Sequence, residues 1–126
     1  MKGLAPATIK QLMDDVVLNN SSAVYTVDIS QIAPNGFFGL ELSVSGSGAP
    51  SLNVTLSFSI SGENYIAPTG MTVSVVTAFV KTSGVGGNGK DLYDITSLIP
   101  PCKEIRITVT ETASANGTTN LWLLTA

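Results

Sequence analysis

The chain has 126 residues, a length suited to one domain of roughly 100–150 residues that can bury a core without disulfides or metals. Only 12% of residues are charged, and the formal net charge is −3 with the six basic residues scattered, which argues against a nucleic-acid partner. No stretch is long and apolar enough for a transmembrane helix of about 20 residues, so no membrane role is expected.

The first fifteen residues, MKGLAPATIKQLMDD, lack the apolar h-region of a secretory signal, and the single cysteine, Cys102, fits synthesis in a reducing cytoplasm. Ile9, Leu12, Met13, Val16 and Val17 fit helical spacing, so an amphipathic helix over residues 7–17 is one reading. The other is an arm through residues 1–13 followed by an edge strand from Asp14 to Leu18, favoured by the strand preference of Val-Val.

From about Val24 onward, alternation of apolar and polar residues dominates. Strands are expected at Tyr25–Ile29 and at Phe38, Leu40, Leu42 and Val44. Leu52, Val54, Leu56, Phe58 and Ile60 alternate with Ser, Asn and Thr, which puts five apolar side chains on one strand face. The spacer Ser45–Pro50 reads as a turn joining these last two strands in a hairpin. Weaker strands are expected at Met71–Val80 and Asp91–Ile95, a clear one at Ile105, Ile107 and Val109, and a last one at Thr118–Leu124, joined to it by a hairpin turn over Ala113–Gly117 that ends in Asn116-Gly117. One apolar face per strand predicts an all-β, antiparallel sandwich or barrel, with a domain over residues 14–126.

Candidate chemistry is sparse. Histidine is absent, which removes the usual general base and the commonest metal ligand. No catalytic, cofactor-binding or metal-binding residues are assigned, and the chain is expected not to be an enzyme. Asp14 and Asp15, as strand neighbours, would point to opposite faces. Asp91 and Asp94 flank Tyr93 and could share a calcium ion, although solvated loop charges are the simpler reading. Glu41, Glu63, Glu104 and Glu111 are the remaining carboxylates that a glycosidase-type pair could draw on. Gly84 to Lys90 satisfies G-x-x-x-x-G-K, but Asp91 replaces the hydroxyl residue and no helix follows, so a glycine-rich loop is expected instead of a phosphate site. Trp122 has the opposite parity to Leu121 and Leu123, so either both faces of the last strand are covered or Trp122 meets a neighbouring subunit.

Three segments, Leu12-Met13-Asp14-Asp15-Val16, Phe58-Ser59-Ile60-Ser61-Gly62-Glu63-Asn64-Tyr65 and Pro101-Cys102-Lys103-Glu104-Ile105-Arg106-Ile107-Thr108-Val109-Thr110, together resemble small virion structural proteins of tailed phages and prophages. The resemblance implies a β-sandwich of jelly-roll type, and within the class a capsid decoration (cement) protein with a neck or tail protein as the alternative. It also implies a homo-oligomer, with a trimer favoured, bound to the major capsid protein in a virion assembled in the host bacterial cytoplasm. A carbohydrate- or receptor-binding module is the competing class. The contacts are expected from the arm and the Lys81–Asp91 loop, through Leu4, Ile9, Leu12, Met13, Lys81, Lys90, Tyr93 and Trp122.

Overall fold

A computed structural model describes residues 7–29, 35–71 and 73–126 of the chain. Eight strands follow one another: β1 (Thr8–Val17), β2 (Ser22–Asp28), β3 (Phe38–Ser45), β4 (Leu52–Ser59), β5 (Ser74–Phe79), β6 (Lys90–Asp94), β7 (Glu104–Glu111) and β8 (Thr118–Thr125), with one 3-10 turn at Thr96–Leu98. They form two antiparallel sheets, ordered β1-β8-β3-β6 and β2-β7-β4-β5. The expected sandwich is therefore the observed one.

Its topology follows from a single operation. β1 pairs with β8, β2 with β7, β3 with β6 and β4 with β5, as the arms of one long hairpin would. Wrapping that hairpin brings β8 beside β3 and β7 beside β4, which completes an eight-stranded jelly roll. Alternation then decides what lies inside. Leu40, Leu42, Leu121 and Leu123 from one sheet meet Val54, Leu56, Ile105 and Ile107 from the other, all essentially inaccessible to solvent.

Two hairpins expected from the sequence are not hairpins. β3 and β4 lie in different sheets, and so do β7 and β8, so the turns at Ser45–Pro50 and Ala113–Gly117 carry the chain across the sandwich. Both crossings sit at one end and touch. A Cβ on Gly117 would stand 2.2 Å from Pro50 Cγ, so only glycine allows this approach.

The start of the chain also differs from the expected arm. Residues 8–13 belong to β1, which is an edge strand beginning six residues before Asp14, and no helix forms over residues 8–17. Two register irregularities, between Gln11 and Met13 and between Met13 and Val16, let Met13 turn into the core. Asp15 takes a φ of 51° there, and Asn120 holds the bulge by accepting from the Asp15 amide at 2.9 Å and donating to its carboxylate at 3.0 Å.

The crossing end is tied together by one side chain. Glu111, at the end of β7, is only 1% exposed. Its carboxylate accepts from four backbone amides, Asn20 (2.8 Å) and Ala115 (3.0 Å) on Oε1, Ser51 (3.1 Å) and Ala113 (2.6 Å) on Oε2. These amides come from three of the four sheet-crossing turns at this end, those after β1, β3 and β7. The Asn19 and Asn116 side chains add a direct amide hydrogen bond between two of them. Desolvation raises the Glu111 pKa, but the amides outweigh it and hold the carboxyl lowered to about 2.

A depressed carboxyl pKa stabilises the fold above the group's ordinary value of 4.5 and loses that contribution as pH falls through about 2. Thermal or urea unfolding should therefore show stability dropping across this acid window. Glu111→Gln should flatten that drop and cost at least about 2 kcal/mol at neutral pH, because one acceptor oxygen becomes a donor facing two amides.

Candidate interaction face

The two outer faces of the sandwich differ in chemistry. On the β2-β7-β4-β5 sheet, cross-strand rows read Ser22–Thr110–Asn53, Val24–Thr108–Thr55 and Thr26–Arg106–Ser57. Apart from Val24, these are neutral hydroxyls and amides with one cation. Arg106 lies 3.6 Å from the centroid of the Tyr65 ring, and the Tyr65 hydroxyl donates to Glu104 at 2.6 Å. This bond, then desolvation and the Glu104 charge, raises the Tyr65 pKa.

The outer face of β1-β8-β3-β6 carries an apolar cluster among polar residues. One row reads Ile9–Leu124–Gly39–Asp94 and the next Gln11–Trp122–Glu41–Leu92. Phe37 extends the face beyond β3, where its backbone exchanges two hydrogen bonds of 3.0 Å with Ala126. Ile9 is 63% exposed, Leu92 71% and Trp122 37%, and Phe37 and Leu124 are exposed as well. The missing side chain at Gly39 leaves a hollow of about 530 Å³ among Ile9, Phe37, Leu92, Trp122 and Leu124. A second hollow, which shares Glu41 and Leu92 with the first, runs on to Val85 and Lys90. A contiguous cluster of this kind is a usual mark of an interaction site, whereas single exposed apolar residues are ordinary.

The structure brings only part of the expected contact set to this face. Ile9 and Trp122 meet on it, and Lys90 stands at its margin. Tyr93 is paired with Leu40 and is half-buried at the hollow's border; burial and then the Asp91 charge raise its phenol pKa. Met13 belongs to the core, and Leu12 packs against that core, so the bulged strand replaces the imagined arm at both positions. Lys81 is spent on the Gly46 carbonyl at 2.8 Å. Leu4 lies outside the described residues.

Leu92, Leu124 and Phe37 join the face without having been singled out, and Glu41, considered only as a glycosidase-type carboxylate, joins it as well. A signal for Leu124 was present: Leu121-Trp122-Leu123-Leu124 is apolar at both parities, so one parity had to face outward. No comparable signal marked Phe37.

The remaining candidates take structural parts. Asp91 and Asp94 sit three residues apart on β6 and so point to opposite faces. Asp94 accepts from the Thr96 amide at 3.0 Å, and the Thr96 side chain and amide together lower its pKa. Among the described residues no three His, Cys, Asp or Glu side chains converge as a metal group. Cys102 is half-buried, and burial raises its thiol pKa.

The glycine-rich loop is held by its own backbone. Gly87 donates to Gly84, Gly89 to Ser83, and Val44 to Gly89. Gly84, at φ 88°, pairs with Lys90 so closely that a Cβ would lie 2.0 Å from the Lys90 carbonyl oxygen. Lys90 then opens a strand, not the helix a phosphate loop needs. Among the described residues, no helix is long and apolar enough to cross a membrane.

No protein-family model matches the sequence, and no curated protein matches it. Among solved structures, the chain is similar to VP2 of infectious bursal disease virus in its subviral particle, with a TM-score of 0.55 and 11% identity over 94% of this chain and 32% of that one. A structure of the Gx strain of the same virus aligns over 96% of this chain and 33% of that one, with a TM-score of 0.43 and 10% identity. The chain thus spans about a third of the length of the solved chains it matches.

The division between faces is checked by paired substitutions in β8 and β6. Leu123→Ala, which opens the core, should cost about 2–5 kcal/mol in urea unfolding. Leu92→Ser, on the exposed face, should stay within about 0.5 kcal/mol of the parent. The fold these substitutions probe is an eight-stranded jelly roll similar to part of that VP2 chain.

Proposed function

We propose that this chain is a virion structural protein that attaches to another virion protein through the outer face of its β1-β8-β3-β6 sheet. Within that class the reading is a capsid decoration protein of a tailed phage, seated on the major capsid protein as a small homo-oligomer, the trimer being the form the sequence resemblance implies. The observation that carries it is the asymmetry of the two faces. One is a neutral hydroxyl surface, while the other gathers Ile9, Phe37, Leu92, Trp122 and Leu124 around a hollow. A tryptophan beside Ile9 and Leu124, with Glu41 between it and Leu92 and with Asp94 and Lys90 at the margin, has the make-up of a protein-binding hot spot.

The likeness to a virus protein found in a subviral particle supports a place in a virion. The reading takes the chain as a binding protein and not an enzyme. Glu111, the most deeply buried carboxylate among the described residues, is saturated by amides and has no capacity left for proton transfer.

The test is co-sedimentation of the purified protein with shells of the major capsid protein. Saturable binding is expected at a ratio set by capsid symmetry, with Trp122→Glu weakening it at least about tenfold while leaving the unfolding midpoint near that of the parent. Binding to isolated necks or tails in place of shells would move the protein to those parts. Binding to a glycan that depends on Trp122, with no affinity for any virion part, would replace the reading with a carbohydrate-binding module.

A further inference from the structure

A sandwich of two four-stranded sheets has four edge strands, each of which offers backbone N–H and C=O groups to any passing strand. Three of the four are blunted here. β1 is bulged twice and carries Asp15 in the left-handed region. β5 has two register irregularities against β4, and Ala78, at φ 55°, gives its amide to the Asn53 side chain at 2.9 Å. β6 is only five residues long and includes Lys90, Asp91 and Asp94, with a parallel bridge from Gly84 at its start.

β2 has no register irregularity and no left-handed residue, and its one charge, Asp28, stands at its end. Its seven residues pair with β7 in unbroken register from Ser22 opposite Thr110 to Asp28 opposite Glu104. The Glu111 amide donates to the Ser21 carbonyl at 3.0 Å and the Ile29 amide to the Lys103 carbonyl at 2.9 Å. In an antiparallel pair, bonded residues alternate with unbonded ones. Ala23, Tyr25 and Val27 therefore spend their backbone groups on β7, and Val24 and Thr26 turn theirs to the free edge. No other described strand pairs with that edge. Val24 is 54% exposed, and Tyr25, although it points inward, is only half-buried, so the rim of the core shows at this strand.

We infer that β2 is a self-association edge, and that its occupant is β2 of a second copy, running antiparallel about a two-fold axis at Tyr25. This register is the one in which all seven residues find a partner. Val24 faces Thr26 of the second copy across a hydrogen-bonded pair, and Ala23 faces Val27, a small residue against a branched one. Ser22 faces Asp28, so the two Asp28 carboxylates lie at opposite ends, each with its own Lys103 ammonium 4.0 Å away. The two Tyr25 side chains meet at the axis and cover the exposed rim of both cores. The polar sheets of the two copies become one eight-stranded sheet.

Such a contact is isologous and closes at two copies. It leaves the apolar β1-β8-β3-β6 face free and is independent of capsid attachment. On a shell carrying trimers, it would join neighbouring trimers two by two.

The two-fold axis gives the contact a register that cysteines read. Opposed residues in a non-hydrogen-bonded antiparallel pair lie roughly 4.5 Å apart at Cα, within reach of a disulfide. In a Cys102→Ser background, Tyr25→Cys should form a linked dimer under mild oxidation on the order of tenfold faster than Ala23→Cys or Val27→Cys alone. A mixture of the Ala23→Cys and Val27→Cys proteins should link to each other. Because a substituted Tyr25 could disturb folding, the parent protein and Val24→Lys are compared by sedimentation equilibrium. As concentration rises, the parent should approach about twice the limiting mass of Val24→Lys, because an isologous contact pairs whatever unit carries it. A parent that stays monomeric at every concentration overturns the inference. So does an oligomer that Val24→Lys leaves intact and that Tyr25→Cys fails to link. Neither result bears on capsid binding, which is read separately by co-sedimentation.

Discussion

A single buried carboxylate holds the crossing end of this jelly roll together. Wrapping a long hairpin into two sheets forces the chain to cross the sandwich repeatedly, and each crossing turn leaves amides that no strand can satisfy. Glu111 gathers four of them, from the turns after β1, β3 and β7. A carboxylate suits the task because it offers two oxygens with about four acceptor sites and a charge that strengthens each bond. The cost of burying that charge is offset by the donors, which is why the group stays ionised. With this end fixed, the contact of Gly117 with Pro50 and the paired asparagines at 19 and 116 fall into place.

The wrapped topology also decides which surfaces are available for function. Alternation assigns one face of every strand to the core, and the other face is free to vary. Here the two free faces have diverged. Serine, threonine and asparagine cover the β2-β7-β4-β5 side, while Ile9, Leu92, Trp122 and Leu124 collect on the β1-β8-β3-β6 side. Glycine at position 39 deepens the second surface where Leu124 and Asp94 flank it. Side chains as exposed as Ile9 and Leu92 add little to the isolated fold, and a cluster of them is a usual mark of an interaction site.

Much of the strand pattern was legible in the sequence, because alternation at Leu52–Phe58 and Ile105–Val109 reports directly on which side chains face inward. What alternation does not report is which sheet a strand joins. Strands of both sheets carry the same pattern, and a sheet-crossing turn such as Ser45–Pro50 has the same small polar residues as a hairpin turn. That is why two crossings read as hairpins. Met13 and the rest of β1 were obscured for a different reason. The bulges shift the apolar parity twice within ten residues, so the strand mimics helical spacing until its pairing with β8 is seen. Of the interaction face, Trp122 was visible by its parity, whereas Ile9 was named only as part of an arm that the structure replaces with β1. Leu92 and Phe37 acquire meaning only when β3, β6 and β8 are laid side by side.

Hydroxyl-radical footprinting of the free protein against the capsid-bound protein would test the account most directly, since aromatic and aliphatic side chains report their own exposure. The account predicts strong protection of Trp122, Phe37 and Leu92 on binding, with Tyr65 on the opposite face labelled as before. Protection of Tyr65 with Trp122 unchanged would contradict it.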